Sequence, residues 1–166
     1  MKEKRDLKIQ AIEKGTVIDH IKAGQALNVL RILGISSAFR ATISFVMNAP
    51  GARGKKDVVK IEGKELSVEE LNRIALISPK ATINIIRDFE VVQKNNVVPP
   101  DYVEGIVRCT NSNCISNSSE PIESKFSVLQ SEEEGVTLHC LYCEHVISEY
   151  IAENLREWRI FDKVKE

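Results

Sequence analysis

The most specific chemistry in this 166-residue chain lies in its four cysteines. Cys109 and Cys114 form a C-x4-C pair, and Cys140 and Cys143 form a C-x2-C pair, with residues 115–139 between them. Each pair can curl around one ion, and the segment between is long enough for a hairpin to return. Four soft thiolates in a tetrahedral set favour Zn2+, and a set with no missing ligand leaves no open position for a catalytic water. One structural zinc per chain is therefore expected. Three readings compete with it: four free core thiols, redox use of Cys140-x-x-Cys143 alone, and a rubredoxin-like iron centre. His139 and His145 flank the second pair, but four sulfurs suffice, so both histidines are expected at the surface.

Other polar clusters carry weaker signals. Gly51-Ala52-Arg53-Gly54-Lys55-Lys56 superficially resembles a phosphate-binding loop, but Ala49 sits where the first Gly belongs and Lys56 where Ser or Thr belongs. It reads as a hairpin loop. Asp19-His20 has no matching nucleophile and reads as a binding pair. Glu132-Glu133-Glu134 before Gly135 reads as a solvated hairpin turn.

These groups need elements to hold them. Leu7, Ile9 and Ala11 alternate with polar residues as a strand would, Gly15 breaks the run, and Val17 to Ile21 resumes it. Ala26, Val29, Leu30 and Leu33 share one helical face, with Gly34 at the position of a C-terminal cap. Ala41, Ile43, Phe45 and Met47 alternate as a strand; Asn48 to Gly54 has loop chemistry; Asp57 to Ile61 returns as a strand. Ser67 and Glu70 form a capping box, with Leu66 and Leu71 placed for a hydrophobic staple. Val68, Leu71, Ile74 and Ala75 are the expected buried stripe of that helix, and Pro79 marks its end. Thr82 to Ile86 and Phe89 to Val92 are further strand-like runs.

The predicted fold class is α+β. Residues 1–98 form a ferredoxin-like α/β sandwich, an antiparallel sheet with two helices and one extra strand. Asn95 to Pro100 marks the boundary, and residues 99–166 form a small antiparallel-β zinc domain ending in a helix. In that helix Ile147, Ile151, Leu155 and Trp158 would share a face. Two helices cover one face of the first sheet, so its other face must be solvated, bind a ligand or pair with a second copy.

Hydrophobic residues make up 43% of the chain and charged residues 28%; 23 Lys+Arg against 24 Asp+Glu leave a net charge of -1. That balance argues against a strong global attraction to nucleic acid. It also leaves a zinc-ribbon nucleic-acid regulator without the basic surface such a protein needs. No apolar run is long enough for a bilayer, and Met1 to Asp6 do not resemble a signal core, so no membrane partner is expected. A cytoplasmic chain is predicted, where reducing conditions keep thiols available for metal.

Several segments together identify a family. Gly15-Thr16-Val17-Ile18-Asp19-His20-Ile21, Lys56-Asp57-Val58-Val59-Lys60-Ile61-Glu62, Ala81-Thr82-Ile83-Asn84, Cys109-Thr110-Asn111-Ser112-Asn113-Cys114-Ile115 and Cys140-Leu141-Tyr142-Cys143 stand in one order. The chain, from about Leu7 to about Ser148, resembles the regulatory chains of aspartate carbamoyltransferase. The resemblance implies a non-catalytic subunit in pyrimidine biosynthesis. Its N-terminal domain would bind CTP, ATP and UTP as allosteric effectors. Its zinc domain would dock on a separate catalytic chain, in an assembly of catalytic trimers and regulatory dimers. The nucleotide positions carried over are Ile12, Asp19, His20, Lys60, Asn84, Ile86, Phe89, Val91 and Lys94. Phe89 stands where the family commonly has Tyr, so a backbone contact there survives and a hydroxyl contact does not. Lys60 and Lys94 can meet ribose and phosphate oxygens, and Asp19 can accept from ribose hydroxyls. Mg2+, which bridges phosphate oxygens in many nucleotide sites, is the expected helper.

Overall fold

The computed structural model describes residues 11–156 apart from 36, 38 and 134. The expected strand at Leu7 to Ala11 and the position of Trp158 lie largely or wholly outside those residues; Ala11 itself is not in a strand. The first sheet is built from β1 (Gly15–Lys22), β2 (Ile43–Gly51), β3 (Gly54–Glu62), β4 (Thr82–Arg87) and β5 (Glu90–Asn96). Helices α1 (Ala26–Ile32) and α2 (Val68–Ile74) connect β1 to β2 and β3 to β4. The strand order is β2-β3-β1-β4-β5, with every neighbouring pair antiparallel. This is the expected βαββαβ sandwich, and β5 is the extra strand, added outside β4.

Strand alternation divides the sheet into two faces. Ile18, Val59, Ile61, Ile83 and Ile85 are buried in the core that also takes Val29 from α1 and Leu71 and Ile74 from α2. Val17, Asp19, Val58, Lys60 and Asn84 have the opposite parity and lie on the face away from that core. None of these five is fully buried.

Local sequence explains the helices. Gly34 has φ 70, and the Ile35 N–H donates to the Leu30 carbonyl at 3.0 Å, closing the end of α1 as expected. At α2 the Ser67 Oγ accepts from the Glu70 N–H at 3.2 Å, and the Glu70 carboxylate accepts from the Ser67 N–H at 2.8 Å. Ser67→Ala should therefore lower stability by about 1 kcal/mol, read as a shift in the urea midpoint with an unchanged slope. Leu66 and Leu71 are both buried, as a staple requires, but Val68 is 71% exposed and does not belong to the stripe.

Two further expectations are corrected. Asn48 to Gly54 is mostly strand: β2 and β3 pair as far as Gly51 opposite Gly54, leaving Ala52 and Arg53 as the turn. Pro50 is tolerated because β2 is an edge strand. A register shift after Val46 and a left-handed Asn48 (φ 58) put a bulge in this hairpin. The Asp57 carboxylate, fully buried beside the bulge, accepts from the N–H of Asn48 at 2.8 Å and of Ala26 at 2.9 Å. It thereby ties β3 to the start of α1.

The second sheet has the order β6-β7-β8-β9, with β6 at Tyr102–Glu104, β7 at Lys125–Ser131, β8 at Gly135–Cys140 and β9 at Val146–Ile147. No α-helix follows among the described residues. Ile147 pairs with Leu138 in the sheet, Tyr150 is left-handed (φ 58), Ile151–Asn154 is a single 3-10 turn, and Leu155 bridges to Val107. Ile147, Ile151 and Leu155 are nevertheless all buried. Their spacing predicted burial correctly and the conformation wrongly.

Candidate functional site

The four cysteines come from three places. Cys109 follows the Val107 bridge, Cys114 opens the 3-10 turn Ile115–Asn117, and Cys140 and Cys143 span the turn that leaves β8. The Asn117 amide fixes the first loop by donating to the carbonyls of Cys109 at 2.9 Å and Asn111 at 2.7 Å. All four Sγ atoms lie within 4.8 Å of one another. Cys109 and Cys143 are 3.6 Å apart at sulfur, and Cys114 and Cys140 are 3.7 Å apart. A tetrahedron with Zn–S bonds of about 2.3 Å has S–S edges of about 3.8 Å, so the sulfur cage fits zinc.

The surroundings fit thiolate as well. Burial pushes the Cys109 thiol up to about 12, against a backbone N–H from Asn111. Burial also raises Cys140, although the N–H groups of Cys143 and Tyr142 point at it. For Cys143 burial is outweighed by the N–H of His145 and the Asn111 side chain, bringing it down to about 7. The Ser116 hydroxyl is 3.1 Å from the Cys114 sulfur. A divalent cation would offset two of the four thiolate charges, and these donors offset part of what is left. The chemistry such an ion supplies is structural, because four sulfurs close its coordination sphere. Neither His139 nor His145 joins the cage. Sequence reasoning missed Ser116, which carries no signal apart from its distance of two residues from Cys114.

The residues expected at a nucleotide site divide into two groups. Lys60 is opposite Val17, Val17 is opposite Asn84, and Asn84 is opposite Lys94. Lys60 and Lys94 thus end a row crossing four strands, about 14 Å between their backbones at ordinary strand spacing. Asp19 lies one pleat along β1, beside Thr82 of β4. His20 is left-handed (φ 56), and its Nδ1 is 3.0 Å from the Thr82 hydroxyl and 3.6 Å from the Asp19 carboxylate. Lys56 Nζ reaches Asp19 at 2.7 Å. Burial would raise the Asp19 carboxyl, but Lys56 and the His20 N–H outweigh it and hold it below its ordinary value. Burial pulls Lys60 below its ordinary value, because desolvation disfavours the ammonium.

The second group lies at the other end of β1. Ile86 is opposite both Gly15 and Val91, and a bulge at this point leaves Val92 as the extra residue of β5. Ile12 is buried just before β1. Asp88 and Phe89 both have positive φ in the β4–β5 turn, and the Phe89 N–H donates to the Glu13 carbonyl at 3.0 Å. The Phe89 N–H is therefore engaged within the chain. Lys56 and Thr82 were missed from the sequence as site residues; both sit inside quoted family segments, but only strand register puts them beside Asp19 and His20.

Comparison with known proteins matches both halves of the chain. A family described as aspartate carbamoyltransferase regulatory chain, allosteric domain, matches residues 7–98, and its metal binding domain matches residues 101–153. The chain belongs to the aspartate carbamoyltransferase regulatory chain family. Relatives bearing that description include one from Methanosarcina mazei, 92% identical over 155 residues, covering 93% of this chain and 99% of the relative. One from Methanococcoides burtonii is 57% identical over 151 residues, covering 91% of this chain and 94% of the relative. One from Natronomonas pharaonis is 51% identical over 151 residues, covering 90% and 95%. As an aspartate carbamoyltransferase regulatory chain it is a non-catalytic subunit, with an allosteric domain and a metal-binding domain. No helix among its described residues is long and apolar enough to cross a membrane.

Proposed function

We propose that this chain senses nucleotides on the open face of its first sheet and transmits their presence to a catalytic chain held by its metal domain. The carrying observation is the row Lys60–Val17–Asn84–Lys94, with Asp19, His20 and Lys56 beside it. Lysines at both ends suit phosphate and ribose oxygens, Asp19 suits ribose hydroxyls, and the Ile12, Ile86, Val91 and Phe89 end suits a base. CTP, ATP and UTP are the effectors. A triphosphate carries more charge than two lysines neutralise, so Mg2+ assists at the phosphate end.

In this reading residues 1–98 are the nucleotide-binding unit and residues 99–166 the zinc unit, with Zn2+ on Cys109, Cys114, Cys140 and Cys143. The exposed apolar side chains of Ile115, Leu141, Tyr142 and Val146 surround the cysteine loops and supply an anchor for the catalytic chain. The open sheet face and its edges leave room for a second copy in a regulatory dimer. Free thiols in a metal cage fit a reducing cytoplasm.

Titration calorimetry with CTP and ATP tests the nucleotide part. Lys94→Ala should weaken triphosphate binding about 10- to 100-fold, the loss of roughly 1.5–3 kcal/mol of charge-assisted hydrogen bonding. Adenosine and cytidine binding should change far less. Absence of heat at millimolar CTP and ATP, with or without Mg2+, would falsify the reading.

A further inference from the structure

Arg31, in the last turn of α1, makes hydrogen bonds to the metal domain. Arg31 extends its guanidinium across the boundary between the two sheets, donating from Nη2 to the Leu155 carbonyl at 2.9 Å and from Nη1 to the Ala152 carbonyl at 3.4 Å. These are the carbonyls of the 3-10 turn Ile151–Asn154 and of the residue after it. A planar fork that engages two fixed carbonyls specifies an orientation as well as a distance.

The turn it grips is woven into the cysteine loops. Leu155 bridges to Val107, two residues before Cys109. The Arg108 N–H donates to the Asn154 carbonyl at 2.7 Å, and the Arg156 N–H to the Ile106 carbonyl at 2.8 Å. The Arg156 guanidinium is 3.4 Å from the carbonyl of Ser116, whose hydroxyl meets the Cys114 sulfur. At its other end, α1 begins on the buried Asp57 carboxylate, adjacent in sequence to Lys56, and Lys56 holds Asp19. Helix α1 is therefore a short rigid rod, fixed at one end beside the charged cluster of the open face and at the other to the cysteine loops.

We propose that Arg31 is the positioning residue through which a displacement of α1 is delivered to the metal domain. It makes no contact with nucleotide or metal in this role; it sets the angle between the two halves. The inference rests on the nucleotide reading above, and the experiment separates the two.

The test uses the assembly with the catalytic chain, comparing wild type, Arg31→Ala and Arg31→Lys. Zinc content, assembly size, basal turnover and nucleotide Kd are expected to stay within about twofold in both variants. What changes is coupling. An effector-dependent shift in aspartate half-saturation of about fivefold or more in the wild type should shrink in Arg31→Ala to less than about 1.5-fold. Arg31→Lys keeps the charge but can reach one carbonyl at a time, and should fall between. Hydrogen exchange supplies the second readout: nucleotide should alter protection at Arg108 and Arg156 in the wild type and leave it unaltered in Arg31→Ala. A full effector response in Arg31→Ala overturns the inference, as does a loss of zinc or assembly in both variants, which would make the contact merely structural. A wild type that binds no nucleotide overturns the nucleotide reading instead.

Discussion

Cys140→Ser should leave the metal domain unfolded while the first sheet stays intact. The second sheet is too slight to hold itself: β6 has three residues and β9 two. Its buried side chains, chiefly Val103, Val107, Phe126, Val136, Leu138 and Ile147, form a thin layer that continues directly into Cys109, Cys114 and Cys140. The cysteines are thus part of the core, and an ion held by all four would join three separate chain segments. Zinc binding in small domains contributes about 10–16 kcal/mol, as much as the entire stability of an ordinary domain. A serine does not replace the soft thiolate ligand, and without the cation burial holds Cys109 as a neutral thiol, so the remaining sulfurs no longer join the segments. Zinc stoichiometry should fall toward zero, proteolysis should open the chain after about residue 100, and binding to the catalytic chain should disappear. Nucleotide binding should persist, because β1 to β5 share no ligand with the cage. A metal-free Cys140→Ser chain that resists protease throughout would contradict the assignment. Chelation of the wild type should reproduce the variant, and zinc should reverse it.

The second large effect falls on Gly15→Ala. Gly15 begins the central strand, paired on one side with Glu62 of β3 and on the other with Ile86 of β4. Its φ is +145, and an added Cβ would lie 2.0 Å from the Ile61 carbonyl oxygen and 3.1 Å from the Glu62 Cα. Both obstacles are backbone, so no side-chain rotation relieves them. The methyl group has to part β1 from β3 at the end of the sheet where Ile12, Ile86, Val91 and Phe89 gather. A loss of about 3–5 kcal/mol is expected from strain and broken pairing together, near the upper end for a point substitution. Urea denaturation should show it as a large drop in midpoint. CTP affinity should fall at denaturant-free conditions too, because the base end of the face is displaced. An unchanged midpoint would mean that the close approach of β1 to Ile61 is not a feature of the folded chain.

Much of this molecule can be read from its residues alone, and the reason is that those features are local. The C-x4-C and C-x2-C pairs declare a metal site because each pair is already close along the chain. The capping box at Ser67 and Glu70 declares a helix start because both hydrogen bonds join residues three apart. Alternating and helical apolar periods gave the βαββαβ order, since each element must bury one face. The sequence segments that identify the family are likewise contiguous.

Tertiary structure decided whatever depended on a distant partner. Apolar spacing at Ile147, Ile151 and Leu155 determines that those residues are buried, but Leu138 and Val107 determine that they are buried from a strand, a 3-10 turn and a bridge. The loop-like residues Asn48 to Gly51 became strand because β3 lies alongside to pair with them. Lys56 became part of the charged cluster because a bulge and the β1–β3 register bring it to Asp19. Arg31 is an ordinary helix-end cation in sequence, and only folding brings the carbonyls of residues 152 and 155 to its guanidinium. A hydrogen bond between groups more than a hundred residues apart leaves no periodic trace in the chain; it exists only once two separately packed sheets have been set against each other.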